Sequence, residues 1–404
     1  MHRRSDARNK SGRISVARIS ARIAFLALAT LCASGPAGAQ LAGKEIHIGI
    51  GGPLTTGSAT FGIEMRQAVD LAVAEKNATG GILGAKIVAD AVDDAADNQK
   101  GEAVAKHFCD DPADLGVVGH VNSGVTIAAS TVYGGCGLVM ITPMSSSPGV
   151  TDRGLPTIFR LTNRDDRKGP GLANYLYALN GKRRGVVVDD QTQYGKGLAD
   201  SFAKGFEAAG GTVVARQAVK VGDTDFHAML SALPKDFDFL FFGGIREGAL
   251  ILKQMRELGM NALFSCGDGC WDVKGFIVPA GAAATQGEGV RILSAAPSLG
   301  KVPGSSEFAA RYTAKYGAIN NYAANSYDSA RIVMAAIEQA AQAKKALPTR
   351  GEVVAAMKAL KFQGIAYARP VEWNAKGDNE AAVIFVNVVD GDHFREIDQI
   401  AGAN

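Results

Sequence analysis

The sequence predicts an α/β protein made of two doubly wound lobes with parallel sheets, and three observations carry that prediction. From Glu45 onward, strand-like apolar runs alternate with amphipathic helical runs almost without pause, as layered α/β folds require. Runs such as "GVVVDD" and "FDFLFFGG" are apolar on both faces, which suits strands covered by helices on each side. A unit of strand, loop, aromatic-Gly pair, helix and Gly-Gly occurs twice, once through Phe61-Gly62 and once through Tyr194-Gly195. Two such lobes would face one another across a cleft.

The first 39 residues are set apart from the fold. Seven basic residues (Arg3, Arg4, Arg8, Lys10, Arg13, Arg18, Arg22) precede the short apolar run "IAFLALATLCAS". Ala37 and Ala39 then have the spacing of a signal-peptidase site, so the segment reads as a secretory signal peptide cleaved after Ala39. Its apolar run is well short of the ~20 residues that span a bilayer. The leader accounts for seven of the 43 basic residues and one of the 40 acidic ones, so its removal turns the formal charge from +3 to about −3. The basic balance therefore gives no reason to expect a nucleic-acid partner. The remaining 365 of 404 residues are too many for one comfortable core, so two domains are expected.

The elements follow in order. "EIHIGI" places Ile46, Ile48 and Ile50 on one face, at strand spacing. "IEMRQAVDLAVAEKN" carries Met65, Val69, Ala72 and Val73 on one helical stripe, and glycines in "NATGGILG" end it. "KIVADAVDD", "LGVVGHV" and "GLVMITP" read as further strands, separated by helical "NQKGEAVAKHFC" and "SGVTIAASTVYGG". Cys109, Cys136, Cys266 and Cys270 remain after the leader. An even count in an exported chain suggests two disulfides, with three pairings open.

Two classes of function find little support. "GIGGPL" lacks the third glycine of a dinucleotide fingerprint, and its helix starts too late to reach a pyrophosphate. No phosphate-binding G-x-x-x-x-G-K-[ST] motif occurs, no G-x-S-x-G nucleophile elbow occurs, and the histidines lack metal-ligand spacing. No catalytic residue, cofactor or metal is assigned. A small zwitterion is better matched. "GHVNSG" places Ser123 at a helix entrance after one strand, where free N–H groups hold anions. "ITPMSSSPG" places Met144, Ser145 and Ser146 after the next strand, "DDQTQYGKG" places Tyr194 at the matching point of the second lobe, and "FSCGDGCW" places Asp268 between two glycines. All lie at carboxyl ends of expected strands, where open α/β sheets bind ligands. Together they offer anion donors and one carboxylate for an ammonium.

With these segments in hand, the sequence resembles the exported leucine/isoleucine/valine-binding proteins of ABC importers, which have the type I periplasmic binding fold. The likeness runs through "GGPLTTGSATFG", "AVDDAADNQ", "VVGHVNSGVTIAAS", "MITPMSSSPGVTDRG", "FRLTNRDDRKGP", "YGKGLADSF", "TDFHAMLSAL", "FGG", "GDG" and "WNAKGD", in that order. The resemblance implies two lobes joined by three crossovers, here near Arg164, Ile292 and Ala382. That places 40–163 plus 292–381 in one lobe and 164–291 plus 382–404 in the other. It implies carboxylate-binding hydroxyls at Ser123 and Ser146, a carbonyl at Met144 for the ammonium, and Tyr194 and Asp268 as aromatic cover and ammonium-binding acid. It also implies an aromatic at Phe61 over the side-chain pocket. Two departures stand out. Ile245-Arg246-Glu247 replaces the aromatic that many members carry after "FGG", which brings Arg246 toward the pocket. Ala96 and Asn122 stand where a disulfide is familiar, so Cys109–Cys136 would replace it and Cys266–Cys270 would brace the Asp268 loop.

The expected function is that of a monomeric periplasmic solute-binding protein that delivers an amino acid, branched-chain or related, to ABC permease subunits. Rival expectations are the same fold binding an amide or a carboxylic acid without an amine, an exported α/β hydrolase, or a ligand-sensing subunit.

Overall fold

The computed structural model describes residues 40–179, 181–320 and 322–400. The expected signal peptide and its cleavage site lie outside them. Two sheets organise the chain. The first has the order β2-β1-β3-β4-β5, from β1 (Glu45–Gly52), β2 (Lys86–Asp93), β3 (Asp114–Gly119), β4 (Met140–Thr142) and β5 (Ile158–Arg160). Every pairing in it is parallel. Between these strands run α1 (Ala59–Ala78), α2 (Asn98–Asp110) and α3 (Ser123–Cys136). Asp97 starts α2 by accepting the Lys100 N–H at 2.9 Å, a side-chain cap that satisfies one orphan donor.

The second sheet has the order β12-β11-β10-β9-β8-β6-β7, from β6 (Arg184–Asp189), β7 (Thr212–Ala218), β8 (Phe239–Gly243), β9 (Leu263–Cys266), β10 (Val290–Ser294), β11 (Ile384–Asp390) and β12 (His393–Ile400). Its helices are α4 (Asp165–Ala178), α5 (Gln193–Ala208), α6 (His227–Ser231), α7 (Glu247–Glu257) and the single turn α8 (Val278–Ala280). The expected parallel sheet is extended at one edge, where β10 pairs with β11, and β11 with β12, in antiparallel register. The physical reason is local. β11 and β12 are joined by the short turn Gly391–Asp392, and a hairpin can only be antiparallel.

After β10 the chain leaves this sheet for α9 (Ser305–Tyr316), α10 (Ala323–Lys344) and α11 (Arg350–Ala359). There α10 packs on α1 and β3, before the chain returns to the second sheet as β11. The change of sheet expected near Ile292 falls inside β10 and is displaced to after Ser294, since Ile292 itself pairs with both β9 and β11.

The α5 face of the second sheet is filled by Phe202, Phe206, Phe239 and Phe241, with Phe202 stacked on Phe241 at 3.9 Å between ring centroids. Each buried ring contributes about 1.5–3 kcal/mol, which fixes α5 and hence Tyr194 against β8. Among the described residues, no helix is long and apolar enough to cross a membrane.

Candidate ligand-binding cleft

Eight chain segments meet around a cleft of about 410 Å³. Ala96, Val121–Val125, Met144, Gln191–Tyr194, Ile245, Asp268 and Gly269 line it from the carboxyl ends of strands, with Phe61 from α1 and Tyr322 from the entrance to α10. The expected residues Phe61, Ser123, Met144, Tyr194 and Asp268 are thus brought together.

On the first-sheet side the cleft is neutral. Ser123 is the first residue of α3, and no side chain caps that helix. The first N–H groups of a helix have no partner within it, and they carry its positive end. Ser123 Oγ accepts the Ser147 N–H at 3.2 Å, which ties the serine loop after β4 to the helix entrance. The guanidinium of fully buried Arg160 supports that loop from behind, donating to the Ser147 carbonyl at 2.6 Å and to Asp378 of the "WNAKGD" segment at 2.8 Å.

Two of the serines depart from expectation. Ser145 Oγ donates to the carbonyls of His120 and Val121 at 3.0 and 2.8 Å, so its hydroxyl is committed to the protein. Ser146 is buried and its hydroxyl leans on the Asp165 carboxylate without reaching full hydrogen-bond geometry. Neither serine lines the cleft.

The second-sheet side is ionic. Asp268 is 2% exposed. Its Oδ1 accepts the Tyr194 hydroxyl at 2.9 Å, and its Oδ2 accepts Lys168 Nζ at 2.7 Å together with the Tyr322 hydroxyl. Tyr194 in turn accepts the Gly269 N–H at 2.9 Å. Lys168 also lies 3.1 Å from Asp165, with neither side chain reached by solvent. Burial works against ionised Asp268, but the Lys168 charge and the two tyrosine hydroxyls outweigh it and hold the carboxyl below its ordinary range. Asp165 shares the same lysine and loses the contest. Burial and the Asp268 charge push its carboxyl up despite Lys168. Burial, and then Asp268, also raise both tyrosines, so they remain protonated donors.

Packing requires both glycines beside Asp268, and Gly269 also lines the cleft. A Cβ on Gly267 would meet Leu198 and the Tyr194 hydroxyl, and one on Gly269 would meet the Gly244 carbonyl and the Tyr194 ring. The Cys266–Cys270 disulfide closes this loop, and Cys109–Cys136 joins the end of α2 to the end of α3.

Arg246 is the other correction. It does not line the main cleft. Its guanidinium donates to the Gly57 carbonyl beside an adjoining cavity of about 40 Å³, which shares Phe61, Ile245 and Gly269 with the cleft. Its neighbour Ile245 supplies the cleft wall instead.

Sequence reasoning missed Lys168, Asp165 and Tyr322. Lys168 sits in "RDDRKGP", where alternating charges read as a solvated helix start, and Tyr322 lies in a loop without a motif. Among the described residues, one group could gather a metal ion: His47, Asp111 and Asp114, whose ligand atoms lie within 4.8 Å of one another. It sits at the opposite end of β1 from the cleft, and His47 is already hydrogen-bonded to Asp111 at 2.7 Å.

Comparison with known proteins identifies the family and the fold. The family model described as periplasmic binding protein matches residues 45–392, so the chain belongs to that family. The Leu/Ile/Val-binding protein BraC3 of Rhizobium johnstonii is 35% identical over 79% of this chain and 85% of its own length. The Leu/Ile/Val-binding protein homolog 2 of Brucella abortus is 37% identical over 56% of this chain and 61% of its own length. Among solved structures, the leucine-binding protein LivK of Thermotoga maritima superposes with a TM-score of 0.78 at 25% identity, covering 88% of this chain and 99% of that one. LivJ of Streptococcus pneumoniae, a branched-chain amino-acid transporter substrate-binding protein solved with isoleucine, gives 0.77 at 26%, covering 88% and 100%. The fold is accordingly that of the type I periplasmic binding proteins.

Proposed function

We propose that this chain is the periplasmic solute-binding subunit of an ABC importer and that it takes an amino acid into the cleft between its two sheets. The observation that carries this reading is the uncapped start of α3, with Ser123 in the cleft wall. A carboxylate there would accept N–H groups and a hydroxyl at the positive end of a 14-residue helix. Phe61, Val121, Met144 and Ile245 give the rest of the wall an apolar character suited to an aliphatic side chain.

The two sheets with their helices would act as hinged lobes, with boundaries close to residues 164, 294 and 382. The ligand bridges them, favours the closed form and is presented to the permease subunits. The Leu/Ile/Val-binding names of the relatives support this class of ligand. Binding alone suffices for the role, and no group in the cleft is assigned to catalysis.

Titration calorimetry of the purified protein against amino acids with aliphatic, aromatic and polar side chains tests the reading. Saturable binding of at least one, abolished by Ser123→Ala combined with a bulky Gly124 substitution, is expected. Failure of every amino acid to bind would sink it.

A further inference from the structure

The ion pair behind the cleft bears on which ligands are accepted, an inference that rests on the carboxylate-binding reading above. The acid positioned for a ligand ammonium already has a cation. Lys168 Nζ donates to Asp268 Oδ2 at 2.7 Å, and both side chains are essentially closed to solvent. A carboxylate offers about four acceptor positions. Lys168, Tyr194 and Tyr322 take three of those on Asp268.

A ligand ammonium entering here would find one free position on a carboxylate whose charge is already compensated. It would also bring a second positive charge close to Lys168 in a region of low dielectric. Asp165, the other acid near this lysine, lies farther from Nζ at 3.1 Å, and neither of its carboxyl oxygens is engaged in a full hydrogen bond, so the lysine's close contact belongs to Asp268.

We propose that Lys168 makes the α-ammonium dispensable, so that the cleft accepts aliphatic 2-oxo and other amine-free carboxylic acids as well as the corresponding amino acids. The carboxylate is held at Ser123 and the start of α3 in either case, and the 2-position of an oxo acid presents an acceptor toward a second-sheet wall that is electrically satisfied. Lys168 acts through Asp268 rather than by touching the ligand. It is a positioning residue that sets the charge of the wall.

The test compares leucine, isoleucine, valine and phenylalanine with the 2-oxo acid of each, by calorimetry on the wild-type protein and on Lys168→Gln. In the wild type, the best amino acid and its 2-oxo acid should bind within about threefold of each other. A full charge-assisted bond to the amine would instead separate them by tenfold or more. In Lys168→Gln the carboxylate loses its cation, and the ratio should move by at least tenfold toward the amino acid. A structural role for the lysine would weaken both ligands equally and leave the ratio alone. The proposal is overturned if the wild type prefers the amino acid by more than tenfold, or if Lys168→Gln leaves the ratio unchanged. In those cases amino-acid binding itself still stands. If none of the eight compounds binds the wild type, this inference falls, and the carboxylate-binding reading is decided by the wider amino-acid titration above. Should Lys168→Gln fail to fold, the wild-type ratio alone decides.

Discussion

The same strand–loop–helix unit stands on both sides of the cleft, and its two copies treat the helix entrance differently. In the first sheet, β3 leads through Asn122 into α3, and no side chain caps the helix. In the second, β6 leads through Thr192 into α5. There the Thr192 hydroxyl accepts the Gly195 N–H at 2.9 Å and itself donates to Asp190 at 2.6 Å. One entrance has no side-chain cap, and the other commits one of its donors to Thr192. Identical topology therefore leaves an uncapped helix start, the anion site proposed above, on one side and a capped support for Tyr194 on the other. A fold places ligands at strand ends, but capping decides which end can hold one.

The contrast can be broken most severely at the glycines. A Cβ on Gly195 would fall on the Asp190 carboxylate and the Gly243 carbonyl, whereas one on Gly124 would meet the movable Asn98 side chain at 3.0 Å. Gly195→Ala should cost about 3 kcal/mol of unfolding free energy, at the upper end of overpacking effects. Gly124→Ala should cost well under half of that and show its effect in ligand affinity. Urea titration of both variants is the check, and equal losses would mean that the entrances are equally packed.

The next effect is a matter of pH. Burial pushes the Asp190 carboxyl up to about 6, against the Thr192 hydrogen bonds and with help from the nearby charges of Glu247 and Asp189. Between about pH 4 and 6 the folded state keeps a proton that the unfolded chain has released, so this group's contribution to stability falls as pH rises through that window. Asp190→Asn lacks the slope. Its stability relative to the wild type should rise across the window by on the order of 1–3 kcal/mol. The variant and wild-type curves running parallel from pH 4 to 6 would contradict this.

The smallest pair of effects gives the cleanest separation. Ser123→Ala should weaken ligand binding about tenfold, through one lost bond to a charged group, with little change in melting temperature. Thr192→Ala should remove about 1 kcal/mol of stability and leave ligand affinity within a few fold. If the two substitutions exchanged roles, the assignment of the anion site to α3 would be wrong.

Much of this was legible in the sequence because strand ends announce themselves. "GHVNSG", "ITPMSS", "QTQYG" and "CGDGC" each follow an apolar run, and each sends at least one of its residues to the cleft or its border. What the pattern could not show was direction and partnership. Ser145 and Ser146 occupy neighbouring positions on one loop, but the Ser145 hydroxyl turns toward carbonyls released at the end of β3. Arg246 follows Ile245 at the start of α7, where one residue of helix rotation separates the cleft wall from the Gly57 contact. Lys168 was hidden for a different reason. A lysine three residues after an aspartate is ordinary on a helix surface, and only the tertiary arrival of Asp268, 100 residues away in sequence, turns it into a buried counter-ion. The antiparallel β11 and β12 were missed because apolar alternation does not encode strand direction.

The contact between Arg246 and the Gly57 carbonyl, with Thr60 donating to Asp272 at 2.8 Å, has a kinetic consequence in the transport cycle. Both bonds cross between elements of the two sheets and neither involves a ligand, so under the hinged-lobe reading proposed above each would have to break when the cleft opens. On that reading they would raise the share of closed molecules at any solute concentration, and would slow reopening more than capture. They also lessen the preference of closure for loaded molecules over empty ones. A permease that recognises only the closed outline would then meet empty carriers as competitors for its docking surface. Together with the Tyr322–Asp268 bond, these two contacts would help set how faithfully the shape of the protein reports its cargo.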